Sequence, residues 1–127
     1  MKKAEKAYAA GAVLASAKKL SQARAYCQKA IGFNENYGAP YILIANLYAM
    51  RPNWSDESAL NKCTYFAVID KLQRAKQVDP SVAEEANSLI GRYSGHTPQA
   101  KDLFMLGYKQ GDRITIGGWI GETTTIR

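Results

Sequence analysis

Few side chains among the 127 residues are of types that do chemistry, and their spacing decides against most of it. His96 is the only histidine; it stands between Gly95 and Thr97-Pro98 with no nucleophile and base legible around it, so a solvated loop histidine accounts for it. The acidic pairs Asp56-Glu57 and Glu84-Glu85 fall at expected helix starts, where a carboxylate favours the helix dipole, and capping outranks acid-base catalysis there. Gly117-Gly118 with Gly121 is not followed by a helix, which argues against a loop cradling phosphate. Cys27 and Cys63 form no Cys-x-x-Cys, so neither a zinc nor a redox motif is present. Cys27 sits in an apolar slot as a small hydrophobe, while a Cys27 to Cys63 disulfide stays open. Catalysis, metal binding and a bound cofactor are therefore not expected. Trp54 and Trp119 remain as the most distinctive aromatics: tryptophan is enriched at interface hot spots, yet a local core plug outranks that reading for both. Trp54 lies in a long irregular connection, a kind of segment that often carries function.

Composition points the same way. With 46% hydrophobic and 22% charged residues, the chain is ordinary for one globular domain and can bury a core without staples. A net charge of +6 raises the question of a nucleic-acid partner. The cations, such as Lys18, Arg24, Lys62, Arg74 and Lys101, are instead spread over many turns and interrupted by Asp70 and Asp79, so solvated helix faces explain them. No apolar run approaches the roughly 20 residues that span a bilayer. Lys2 and Lys3 before an alanine-rich stretch ending Ala15-Ser16-Ala17 imitate a signal peptide, but Glu5 and Lys6 interrupt it.

One spacing recurs and accounts for that stretch better. Ala7-x2-Ala10-Gly11-x2-Leu14 is followed by Ala23-x3-Cys27-x2-Ala30, and Tyr41-x2-Ile44-Ala45-x2-Tyr48 by Val68-x3-Leu72-x2-Ala75 and Pro80. Alternating large and small apolar slots are the pattern of a helix-turn-helix repeat. The spacing predicts helices over roughly 3 to 18 and 21 to 33, with Ser21 as N-cap of the second, and a third from Gly38 with Pro40 in its first turn. An insertion over about 50 to 61 lengthens the second repeat, so the next unit, near Ala83, starts about 11 residues later than a period of about 34 would place it. A long helix is expected from Asp56 to Val78 with Ser55 or Asp56 capping it, then Ser81-Val82-Ala83-Glu84 as a capping box, then a helix to Tyr93. Residues 95–127 read as a short helix over 98 to 109 and a two-stranded tail, because Ile114 and Ile116, then Thr124 and Ile126, alternate with other residues around Gly117-Gly118. A lone hairpin is marginal in water, so the tail is expected to pack on the last helix near Leu89 and Tyr93 as a cap for the missing partner helix.

These residues resemble the tetratricopeptide repeat family over about 4 to 93: Gly11, Ala23, Ala30 and Ala45 are its small slots, and Leu14, Tyr41, Tyr48 and Leu72 its large ones. Ala7 stands where the family prefers tryptophan, and Ile90 where it prefers glycine. The ending Gly-Gly-Trp-Ile-Gly-Glu-Thr-Thr-Thr-Ile-Arg resembles the C-terminal end of uncharacterised tetratricopeptide proteins from Bacteroidetes. That likeness implies the C-terminal part of a longer exported protein, in the periplasm or cell envelope.

The fold expected is all-α: a single domain over 1–127, with one repeat over 4–37, a second over 38–82, an incomplete third over 83–94, and a short C-terminal β-hairpin tail. In the family the first helix of each repeat lines a concave groove. Carried over, its positions are Tyr8, Ala12 and Ala15, then Ile42, Asn46, Ala49 and Met50, then Asn87 and Gly91. Asn46 and Asn87 are the polar candidates, and the sequence sets no cation beside either, which speaks against gripping a terminal carboxylate. The resemblance thus implies a non-enzymatic scaffold that binds a peptide or helix of a partner protein, with Trp54 adding contacts; homo-oligomerisation stays open. The alternative is a module of a bacterial cell envelope binding a glycan or small molecule through Trp54 or tyrosines. A nucleic-acid partner is not expected.

Overall fold

A computed structural model describes residues 3–127. Of the described residues 65% are helical, and a small antiparallel sheet accompanies them. Helices α1 (Lys3–Ser16) and α2 (Leu20–Phe33) form the first hairpin. Small residues make their contact: Ala4, Ala7, Gly11 and Ala15 on α1 meet a face of α2 carrying Leu20, Ala23, Cys27 and Ala30. A Cβ at Gly11 would come to 3.2 Å of the Ala23 carbonyl oxygen and 3.3 Å of Cys27 Sγ, so the closeness of the helices depends on that glycine. Lys18, at φ 63°, closes α1: its N–H donates to the Ala15 carbonyl (3.0 Å), and that of Lys19 to Leu14 (2.9 Å). That closure brings the start of α2 forward to Leu20, so Lys19 occupies the N-cap without a side-chain bond and Ser21 falls inside the helix.

Helix α3 (Ala39–Met50) starts with Pro40 in its first turn, as expected. The long helix expected from Asp56 instead begins at Ser58 and breaks at Cys63 into α4 (Ser58–Lys62) and α5 (Thr64–Val78). At the break two side chains leave the helix for the insertion. Asn61 Oδ1 accepts from the N–H groups of Trp54 and Ser55, and Thr64 Oγ1 donates to the Pro52 carbonyl at 2.8 Å. Ser55 accepts from the Glu57 N–H in a local turn, and neither Ser55 nor Asp56 caps the helix.

The next boundary is held by Asp79 rather than by Ser81. A 3-10 turn (Pro80–Val82) precedes α6 (Ala83–Ser94). Asp79 accepts from the Ser81 N–H and hydroxyl and, across the molecule, from the Gly38 N–H at 2.9 Å. A Cβ at Gly38 would lie 2.6 Å from Val82 Cγ2, so the junction before α3 and the one before α6 touch directly. Ser81 bonds to the cap and is not itself one, because the 3-10 turn delays the α-helix to Ala83.

Helices pack in chain order, α1 on α2, α2 on α3, α3 on α5 and α5 on α6. After the short helix α7 (Ala100–Met105), strands β1 (Arg113–Thr115) and β2 (Thr123–Thr125) pair antiparallel with Ile114 opposite Thr124. The hairpin forms as expected, but it docks elsewhere. It folds over α2, α3 and α5 instead of the flank of α6, burying Ile114, Ile116, Ile120 and Ile126 in the main core. Arg24 on α2 donates to the Ile120 carbonyl (2.8 Å), Lys71 on α5 pairs with Glu122 (3.0 Å), and Thr124 donates to Asp70 (2.6 Å). Tyr48 donates to Glu122, and Arg127 pairs with Asp70. The tail goes there because α3 is apolar all round and needs a fourth covering side.

Two measurements check this description. A chain ending at Ser94 uncovers the contacts of four buried isoleucines, each worth about 1.5–3 kcal/mol, and is expected to melt more than about 10 °C lower in a thermal scan; equal melting would show the tail to be dispensable. Hydrogen bonds from Ser81, then from Gly38, hold the Asp79 carboxyl below its ordinary value. Stability from this group is therefore present above its unfolded value of about 3.9 and lost as pH falls through the lower folded one. Asp79→Asn should cost about 1–2 kcal/mol in neutral urea unfolding, and the gap to the natural chain should begin to narrow as pH falls below about 4.

Candidate functional site

Where α3 runs beside α6, the packing leaves a cleft of about 370 Å³. Asn46, Ala49 and Met50 form its α3 side, Leu89, Arg92 and Tyr93 its α6 side, and Tyr65 of α5 closes one end. On α6 these residues recur at three- and four-residue steps, which puts them on one helix face. Tyr93 donates its hydroxyl to Asn46 Oδ1 at 2.9 Å. Burial raises the Tyr93 phenol above its ordinary value, so the ring keeps its proton and remains the donor. With its carbonyl engaged, Asn46 has its NH2 group left to offer a ligand acceptor. Arg92 brings a cation into the cleft of Asn46, which sequence alone did not place there.

Tyr65 also belongs to a second, more polar cleft of about 480 Å³ between the insertion and the turn after α6. His96 stacks on its ring (centroids 5.0 Å apart, planes at 23°), and Tyr93 lies 5.9 Å from it on the α6 side. Asn53, Asp56 and Lys62 line the same space. Asn61, with both amide ends bonded to the insertion, holds this wall in position: its Nδ2 donates to the Ser55 carbonyl at 2.8 Å. His96 is exposed as a loop histidine should be, yet stacked.

The other residues singled out in the sequence lie apart from these clefts. Ile42 is buried in the main core at 5% exposure and is a packing residue rather than a cleft lining. Ala15 packs with Leu20, Ala23 and Leu47, so it too is a packing residue and not a groove lining. Tyr8 is half-buried on α1, edge-on to Tyr37 at 5.6 Å, and Ala12 is half-buried on the same helix. Asn87 is on the opposite flank of α6, where Lys76 of α5 donates to its Oδ1 at 2.7 Å; a cation therefore accompanies this asparagine as well. Gly91 is exposed and has open space around it. Trp54 is half-buried beneath the tail turn, and a Cβ at Gly117 would come to 2.8 Å of its ring. Trp119 stands edge-on to Tyr48 at 5.4 Å with the Arg24 guanidinium 5.1 Å over its face, and its indole N–H donates to the Arg51 carbonyl. Both tryptophans thus fasten the tail and insertion to the helices.

Tyr65 and Arg92 were missed in the sequence. The recurrence of Leu89, Arg92, Tyr93 and His96 along one face was the available signal for Arg92; for Tyr65, next to buried Phe66, there was none.

Comparison with protein-family models, with curated proteins and with solved structures finds no match. Among the described residues no helix is long and apolar enough to cross a membrane, and no three His, Cys, Asp or Glu side chains gather to hold a metal ion.

Cys27 and Cys63 are both free and buried. Burial pushes their thiols up, to about 12 and about 11. Since the thiolate is the nucleophile, neither should react with a disulfide reagent at pH 8 on the timescale on which both react in denaturant. Rapid labelling of the folded chain would contradict that burial.

Proposed function

We propose that this protein is a non-catalytic binding module, built as a tetratricopeptide-like helical scaffold, that takes a polypeptide segment of a partner protein in the cleft between α3 and α6. The supporting observation is the Tyr93 to Asn46 hydrogen bond inside a cleft whose other walls are Ala49, Met50, Leu89 and Arg92. A segment lying there meets an amide donor for one of its carbonyls, apolar side chains for one or two of its own, and a cation for an acceptor or carboxylate at the edge. Directional polar groups beside apolar contact area are what an extended peptide requires. A cleft of this size buries little surface, so binding in the micromolar range or weaker is the expectation.

The polar cleft favours a second reading, a hydroxyl-rich ligand such as a glycan, because Asn53, Asp56 and Lys62 surround the stacked Tyr65 and His96. Peptides selected from a random library on the whole chain distinguish the two. Under the first reading, Asn46→Ala and Arg92→Glu each weaken the selected peptides by about fivefold or more, and the exposed Arg92→Glu does so without changing the melting temperature. The reading fails if both variants bind as the natural chain does. Saturable chemical-shift changes at His96 and Tyr65 with oligosaccharides, absent with peptides, would replace it with the second.

A further inference from the structure

The outer side of the α1–α2 hairpin carries a furrow that no described element covers. Lys3, Lys6, Ala10 and Val13 follow one another at three- and four-residue steps along α1, and Tyr26, Lys29 and Phe33 do so along α2. Two such stripes on adjacent antiparallel helices leave a channel between them. Lys3 Nζ lies 5.8 Å over the Phe33 ring, which confirms that the start of α1 meets the end of α2. On the other side of α2, Arg24 reaches Tyr48 of α3, so the furrow points away from the rest of the helices.

Its surface is unusually apolar for an open face. Val13 is 69% exposed, Phe33 52% and Tyr26 38%. Ala7 forms the floor of a depression of about 250 Å³ between Tyr26, Phe33 and the three lysines. The charge is one-sided. Lys3, Lys6 and Lys29 rim this depression with no carboxylate in its lining; Glu5 faces a neighbouring depression beside Tyr37. The cations lie on the Tyr26–Phe33 half, Lys3 over the Phe33 ring and Lys29 Nζ 5.0 Å over that of Tyr26, while the Val13 end carries none on these two stripes.

We infer that this furrow is a docking site for an amphipathic helix of a partner protein, one whose apolar stripe lies along Val13, Tyr26 and Phe33 and whose acidic residues sit at the end over Lys3, Lys6 and Lys29. Helices of 14 residues on both sides give the channel a length that a partner helix of about four turns fills. Charge complementarity selects the occupant. A second copy of this chain is disfavoured by its net charge of +6 and because its own exposed apolar segment, Phe104-Met105-Leu106, has a single nearby acid, Asp102 beside Lys101, and no cluster of carboxylates to meet three lysines. The depression favours an inserting side chain over a flat lipid surface. This site is independent of the cleft between α3 and α6.

Two synthetic helical peptides of about four turns test the inference. Both carry leucines at i, i+3, i+4 and i+7 and differ only in having glutamates or lysines on one terminal turn. Titrated into the isotope-labelled whole chain at low salt, the glutamate peptide is expected to shift amides of α1 and α2 and to bind about tenfold more tightly than the lysine peptide. Added salt should close that gap, and Lys3→Glu/Lys6→Glu/Lys29→Glu should reverse the preference. Phe33→Ala should weaken the glutamate peptide while leaving the melting temperature unchanged. The inference is overturned if the two peptides bind alike, if neither binds, or if shifts appear only at the cleft between α3 and α6. It is equally overturned if anionic lipid vesicles bind the chain while both peptides are ignored, or if sedimentation shows a self-association that the triple variant abolishes.

Discussion

Helix α3 must be buried on almost every side, and the rest of the molecule is arranged around that need. Between Ala39 and Met50 only Tyr41, Asn46 and Tyr48 carry a polar side-chain atom, and Pro40, Tyr41, Ile42, Ile44, Ala45, Leu47 and Tyr48 are all buried. A helix apolar all round cannot be satisfied by one neighbour. Here α2 and α5 pack against it, Tyr93 of α6 bonds to its Asn46, and the tail closes over its last turns. Ala39 and Leu43 are only partly buried, and the most open part is the turn of Asn46, Ala49 and Met50, where the candidate cleft lies.

The tail has two sets of contacts to α2, α3 and α5, and their magnitudes differ. Ion pairs such as Lys71 with Glu122 are partly solvated and worth at most about 1 kcal/mol each. Ile114, Ile116, Ile120 and Ile126, all at 5% exposure or less, are each worth about 1.5–3 kcal/mol. Burial therefore holds the hairpin down, and the polar groups set its register on the helices. Tyr48 illustrates the division: its ring is core, while its hydroxyl donates to Glu122 and accepts from Arg24. Desolvation, aided by the bond to Glu122, raises its phenol well above the ordinary value, so it remains a donor. The insertion is drawn into the same assembly, since Trp54 fills the space under Gly117 and Gly118.

The two surfaces proposed for binding lie where coverage stops. The cleft between α3 and α6 mixes polar and apolar walls, and the furrow on α1 and α2 is apolar with a cationic end. They share no lining residue, since one lies on α3, α5 and α6 and the other on α1 and α2. Both tryptophans join tail, insertion and helices, the local packing role that outranked a hot spot in the sequence.

The helices were legible because their signal is local. Alternation of small and large residues at three- and four-residue steps marks α1, α2, α3 and α6, and Pro40 and Asp79-Pro80 mark where two of them begin. The hairpin was legible too, from alternating isoleucines beside glycines. What stayed hidden depends on partners far along the chain. Asn46 acquires its hydrogen bond from a residue 47 positions away, and Gly38 its cap from one 41 away. Ile42 and Asn46 occupy successive turns of one helix, yet only tertiary packing buries the first and opens the second. The same packing set Asp79 over Ser81 as the cap and sent the tail to α2, α3 and α5 rather than α6. Periodicity specifies which residues face inward along a helix, whereas the choice of what covers them is made by the area each alternative buries, a quantity that exists only once the elements meet.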